Sequence, residues 1–182
     1  MTDTRQFSEK WVKGVFGKAL APHLDEGLKA KLKAIGIDVA PPYAPSYARQ
    51  AWLDGLALVA NERFADEPDA GARLRRLGGQ LVKVLADSGK INGAALTMAK
   101  LFGAKRVLKE LVSQAAAGTN YLQFNLQFPS SREASLRFND AAVADFLGGA
   151  LQAVLSAVGA KNPQVVAQVV GDDRAVLTLT WA

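Results

Sequence analysis

The sequence predicts an α+β fold: an N-terminal helical bundle packed on a C-terminal β-β-α-β-β antiparallel sheet unit. Two observations carry that expectation. Apolar residues recur at steps of three and four as far as Ala117, and beyond Gly118 the period drops to two. The 182 residues, 49% apolar and 21% charged, suffice for one core. A single domain is expected, with a helical part over about 8–117 and a sheet part over about 119–182.

The first helix is read from Trp11, Val12, Phe16 and Leu20 on one face, with Ser8 as its cap, and it stops near Pro22. A second begins near Asp25 with Leu28, Leu32 and Ile35 inward and three lysines outward, and Gly36 closes it. Pro41, Pro42 and Pro45 force the next segment to be extended or turning, because proline restricts both itself and the residue before it. From Ser46 the pattern Tyr47, Ala51, Trp52, Leu56, Val59 and Phe64 describes a third helix. Asp69 caps a fourth, which carries Leu74, Leu77, Leu81, Val84 and Leu85 inward and closes at Ser88-Gly89.

Ile91 to Leu101 mixes glycine and alanine with leucine and methionine, the composition of a central helix that neighbours approach closely. Gly103 breaks it, and Ala104 to Ala116 forms one more helix. Leu122, Phe124, Leu126 and Phe128 then alternate with polar residues, as in a strand with one buried face. A turn at Pro129-Ser130-Ser131 leads to a partner strand with Leu136 and Phe138 inward. Asp140 caps a long apolar helix from Val143 to Val158, whose Gly148-Gly149 pair predicts close packing of backbone against the sheet. Val165 to Val170, the Gly171-Asp172-Asp173 turn and Ala175 to Trp181 complete a second hairpin.

Much chemistry is missing. The chain has no cysteine and one histidine, which removes thiol nucleophiles and zinc sites built from several Cys or His ligands. His23 has no second ligand at a metal-binding spacing, and no nucleophile elbow or phosphate-cradling loop is present. The acidic pairs at 25–26, 66–67 and 172–173 fall at turns and helix starts, where carboxylates suit the local dipole. No catalytic or metal residue is assigned, and the chain is not expected to be an enzyme. The N-terminus lacks a signal-peptide pattern and no run is long and apolar enough to span a bilayer, so a cytoplasmic protein without membrane insertion is expected.

Net charge is +5, and between Gly71 and Gln114 nine bases face two acids. No aromatics interleave with them as single-strand binding requires, so these bases read as solvated helix faces and nucleic acid is not an expected partner. The aromatic and methionine residues Met98, Phe102, Tyr121, Phe124, Phe128, Phe138 and Phe146 fill a core or line an apolar pocket between the central helix and the sheet. The candidate ligand site is Met98, Phe102, Arg106, Tyr121, Phe124 and Phe146, with Arg106 or Tyr121 as the polar group that orients a ligand.

Several short runs carry a family resemblance: Phe16-Gly17-Lys18-Ala19-Leu20, Gly36-Ile37-Asp38, Pro45-Ser46-Tyr47 before Trp52, Leu77-Gly78, Gly103-Ala104-Lys105-Arg106, Gly118-Thr119-Asn120-Tyr121 and Thr180-Trp181. In order and spacing they resemble a myxobacterial family of paralogous domains of about this length and of unknown function. The chain departs from that pattern at Ala116 or Ala117, where an arginine is usual, and at Ala48, where a proline is usual. The predicted layout is also similar, as topology, to the group of haem-nitric-oxide-binding domains, vinyl-reductase-type four-helix domains and small subunits of vesicle-tethering (TRAPP) complexes. The resemblance implies a role in binding apolar molecules or acyl chains, or in dimerising. Its haem-binding members use a helix-borne histidine and a Tyr-x-Ser-x-Arg hairpin motif; here the hairpin reads Leu136-Arg137-Phe138-Asn139-Asp140, so neither haem nor any other cofactor is expected.

The resulting expectation is a non-catalytic sensory or adaptor domain that binds a hydrophobic small molecule or lipid acyl chain. The alternative is a protein-interaction module, a homodimer or one with another protein partner, that uses an exposed apolar patch without ligand. Binding of an anionic polymer through the basic 71–114 region ranks third.

Overall fold

The computed structural model describes residues 3–87 and 93–182, and their side chains except at 85–87 and 93–102. The chain forms an α+β fold with N-terminal helices and a C-terminal four-stranded antiparallel sheet. The elements run β1 (Gln6–Ser8), α1 (Glu9–Gly14), a π turn (Val15–Ala19), a 3₁₀ turn (Ala21–His23), α2 (Glu26–Ala34), β2 (Ser46–Ala48), α3 (Arg49–Arg63) and α4 (Ala70–Asp87). There follow α5 (Gly93–Ala117), β3 (Phe124–Ser130), β4 (Glu133–Phe138), a 3₁₀ turn (Ala141–Val143), α6 (Ala144–Ala157), β5 (Gln164–Val169) and β6 (Ala175–Thr180).

Local chemistry accounts for several boundaries. Asp25 caps α2 by accepting from the Leu28 N–H at 2.7 Å, and Asp69 does the same for α4 from Ala72 at 2.8 Å. At the end of α2, Gly36 adopts φ +94° while Ile37 N–H donates back to Leu32, a left-handed closure that suits glycine. As expected, Gly103 interrupts the helical path: within the α5 span it takes φ 78° and ψ 165°, non-helical backbone that divides two helical stretches. That conformation is open essentially to glycine alone. The expected closure of α4 at Ser88-Gly89 lies outside the described residues.

Four sequence expectations are corrected. Ser8 does stand at the N-cap of α1, but its side chain makes no capping bond and its hydroxyl is buried without a partner among the described residues. Ser46–Ala48 is a strand instead of the start of α3, and it pairs with β1 in the register Phe7↔Tyr47. Three residues on each side are too few to show a period of two. The β3–β4 turn moves outward, since Pro129 and Ser130 lie in β3 after an irregularity between Gln127 and Ser130. The glycine pair of α6 serves two different neighbours. Gly148 faces the sheet with ordinary clearance, its nearest contact being Val165 Cγ1 at 3.6 Å from a built Cβ; at Gly149 a Cβ would lie 1.9 Å from the Arg75 carbonyl oxygen of α4. On α4, a Cβ at Gly78 would likewise lie 2.1 Å from the Phe146 carbonyl oxygen. The close approach is therefore helix to helix.

The large sheet has the order β3-β4-β6-β5, so α6 carries the chain from β4 to the far edge. Ala134, Leu136, Phe138, Ala175, Leu177 and Leu179 from the two central strands form its buried face. α6 lies between this face and α4, with Phe146, Leu151 and Leu155 buried. A second packing centre surrounds Trp52: Phe7 stacks on it at 4.7 Å between centroids, and Trp11 and Phe16 meet it edge-on, each at 5.4 Å.

Candidate functional site

Where the two packing centres meet, the helices leave a half-open cavity of about 510 Å³. α1 contributes Lys10, Trp11 and Gly14; α4 contributes Leu81 and Val82; the last turns of α5 contribute Leu111, Val112, Gln114, Ala115 and Ala117, followed by Gly118. Phe124 and Leu136 of the sheet and the stripe Phe146, Leu147, Ala150, Leu151 and Val154 of α6 close the other side. Below, the space narrows to a void of about 10 Å³ among Phe7, Trp52, Leu122 and Val143. That is at the lower limit for one water, so the floor is sealed by aromatic packing. The volume falls inside the range of about 300–1,000 Å³ of small-molecule sites.

Close contacts beside the cavity fix the positions of its walls. On one side α6 is pinned to α4 by the Gly78 and Gly149 contacts, so the helix cannot slide into the space. On the other, Trp11 rests on Gly118, where a Cβ would lie 1.6 Å from Trp11 Nε1. The Gly118-Thr119-Asn120-Tyr121 run fastens this wall. Gly118 C=O accepts from Ser8 N–H at 2.9 Å, Asn120 Oδ1 accepts from Gln6 N–H at 2.8 Å, and Asn120 Nδ2 donates to Thr4 C=O at 3.0 Å. A motif that draws attention in the sequence thus ties β1 to the end of α5.

Tyr121 belongs to a different arrangement. Its hydroxyl donates to Asp140 Oδ2 at 2.7 Å, and Arg49 donates to both oxygens of the same carboxylate at 2.7 and 2.6 Å. Asp140 is fully buried and also accepts from Ala142 N–H at the start of the 3₁₀ turn. Asp173, in the β5–β6 turn, lies 3.7 Å from Arg49 and receives a bond from Arg5 at 2.6 Å. Burial pushes the Asp140 carboxyl up, but the Arg49 and Tyr121 hydrogen bonds outweigh it and hold the group below its ordinary value. The Tyr121 hydroxyl is raised, first by burial and then by its bond to the carboxylate. A satisfied ion pair of this kind locks β2–α3 onto the β4–α6 junction.

Of the six candidate ligand residues, Phe124 and Phe146 line the cavity. Tyr121 does not, because Asp140 holds its hydroxyl. Arg106 is exposed on α5 and is not in the lining. The side chains of Met98 and Phe102 lie outside the described residues. Sequence reading did not single out Lys10 or Trp11 for the site, and it read Leu147, Ala150 and Val154 only as part of the long apolar helix. The signal was present: the apolar band on α6 is wider than one sheet face needs.

Comparison with known proteins decides the family. The profile of the family described as "Protein of unknown function (DUF2378)" matches residues 5–182. The chain belongs to that family. No curated protein matches it. Among solved structures, the chain is similar to the Fe(II) unliganded H-NOX protein from K. algicida, with 10% identity, 94% of this chain and 95% of that chain covered, and a TM-score of 0.60. It is also similar to a mutant H-NOX from T. Tengcongensis, with 12% identity, 94% and 96% coverage and a TM-score of 0.57. A third similar structure, from work on heme redox potential and porphyrin distortion, has 12% identity, 95% and 94% coverage and a TM-score of 0.59. At these identities the likeness is one of fold.

The fold of these neighbours raises the question of whether the cavity suits a haem. Protein-held haem iron takes an axial His, Cys, Met or Tyr. None lines the cavity among the described residues, and the chain's one histidine, His23, sits in the 3₁₀ turn after α1 and outside the lining. The described residues do not fit an iron-ligated porphyrin. Among them there is also no group of three or more His, Cys, Asp or Glu placed to hold a metal ion, and no helix long and apolar enough to cross a membrane.

Proposed function

We propose that this DUF2378 chain is a non-catalytic sensory or adaptor domain that binds a hydrophobic small molecule or acyl chain in the cavity between α1, α4, α5 and α6. One observation carries the reading: a space of about 510 Å³ walled by aliphatic and aromatic side chains on elements whose positions are fixed by close glycine contacts beside it. An apolar cavity of that size is unfavourable when empty, and filling it with apolar surface returns about 25 cal/mol for each Å² removed from water. The fold shared with H-NOX proteins supports ligand sensing as the purpose of such a space. The cavity needs no cofactor to take an apolar guest, and a cytoplasmic setting belongs to the same proposal.

The test is organic extraction of the purified protein with mass spectrometry, together with titration by Nile red. A stoichiometric apolar compound, or saturable Nile red binding that Val112→Trp abolishes while the far-UV spectrum stays unchanged, supports the reading. Absence of both an extractable compound and saturable dye binding overturns it.

A specific observation favours a second reading, association of two copies. β5 is an edge strand, and it carries no charge, no proline and no bulge, the usual protections of a free edge. Val166 and Val169 on it are 64% and 62% exposed. Light scattering that shows a dimer converted to monomer by Val166→Lys supports this reading, and a concentration-independent monomer removes it.

A further inference from the structure

The cavity wall is asymmetric in its polar chemistry. Of its lining side chains, Lys10 is the single charged one among the described residues, and no carboxylate is among them. The other charged groups of α1 are engaged with each other, Lys13 with Glu9 at 3.9 Å. Among the described residues Lys10 has no ion pair and no hydrogen bond. Next to it, Trp11 also lines the cavity, and its indole N–H, set against Gly118, has no hydrogen-bond partner among those residues. On the opposing helix the Gln114 amide nitrogen donates to Glu110 at 2.9 Å, which leaves its carbonyl oxygen as the lining's remaining polar side-chain atom.

Two neighbouring donors without acceptors, at the edge of an otherwise apolar space, select a ligand with an anionic acceptor at one end. The size of the space sets the rest. A space of about 510 Å³ lies within the range of sites that take a small-molecule ligand. We propose that the ligand is a single-chain amphipathic carboxylate, its alkyl tail against Leu81, Phe146, Leu147 and Leu151 and its headgroup received by the Lys10 ammonium and the Trp11 indole N–H. This rests on the reading of the cavity as a ligand site. A neutral ester of the same length fills the same volume and can still accept a hydrogen bond, but it offers the Lys10 ammonium no counter-charge, which is the basis of discrimination.

The experiment compares palmitate with methyl palmitate on the delipidated full chain, read by Trp fluorescence and by calorimetry. Palmitate is expected to bind about twofold to fivefold more tightly than the ester, the upper part of the range for an ion pair at a solvent-exposed rim. Lys10→Gln is expected to bring palmitate down to the affinity of the ester and to leave the ester unchanged. Lys13→Gln, on the same helix but outside the lining, is expected to leave both unchanged. Equal binding of acid and ester, or a loss with Lys13→Gln as large as that with Lys10→Gln, overturns the carboxylate assignment while the cavity still stands as an apolar site. Failure of acid, ester and Nile red alike removes the cavity reading itself, and this inference with it.

Discussion

Replacing Asp140 with alanine tests how the two halves of the molecule are held together. Asp140 is fully buried and its Arg49 partner is 10% exposed, so the pair sits in a medium of low polarity. The substitution removes the acceptor of two Arg49 bonds, the Tyr121 bond and the Ala142 cap at once. It leaves a guanidinium buried without its counter-ion. Breaking a buried pair in this way costs about 3–5 kcal/mol. Asp173, at 3.7 Å and half exposed, offers Arg49 a partial substitute, which places the expectation at the lower end of that range. Against a domain stability of about 5–15 kcal/mol, the loss is readily measured by urea unfolding followed by far-UV circular dichroism. The companion variant Arg49→Leu and the double variant complete a cycle. Because removing both charges abolishes the uncompensated one, the double variant is expected to recover about 2 kcal/mol relative to the sum of the singles. A loss below about 1 kcal/mol for Asp140→Ala, or an additive cycle, refutes the argument.

Three further outcomes are expected. The folded value of Asp140 lies below its ordinary one, so its contribution is complete above the unfolded carboxylate value of about 4 and disappears as pH falls through the folded value. The urea midpoint of the native chain is therefore expected to drop more steeply on acidification than that of Asp140→Ala, and parallel curves contradict the assignment. Gly149→Ala places a methyl against the Arg75 carbonyl and is expected to destabilise by about 1–3 kcal/mol, whereas Gly148→Ala, with room for a Cβ, is expected to be close to neutral or stabilising. Thermal melts of the two variants check this, and similar shifts for both refute the helix-to-helix contact. Gly103→Ala is expected to cost about 1–3 kcal/mol through the α5 kink, although a Cβ there meets nothing within 4 Å; an unchanged melting temperature shows that the kink is not required.

The long elements were legible in the sequence because each is dictated by its own residues. The 3.6-residue period of α4 and α6, the alternation in β4 and β6 and the Asp25, Asp69 and Gly36 caps need no distant partner to be recognised. The three-residue strands β1 and β2 were not legible, since they exist through pairing across about forty residues and through the anchoring of β1 by Gly118 and Asn120. The site divides in the same way. Phe124 and Phe146 follow from apolar patterning, but nothing local tells that Tyr121 is held by Asp140, or that the partner of that carboxylate is Arg49, 91 positions away. The cavity and its unmatched Lys10 are products of how the helices cross, and crossing distance is set by which glycines meet which backbones. Sequence alone determined which faces are apolar and what reactive groups the chain lacks. Tertiary structure decided where two apolar faces fail to meet, because a void depends on the joint position of several elements and no single segment encodes it.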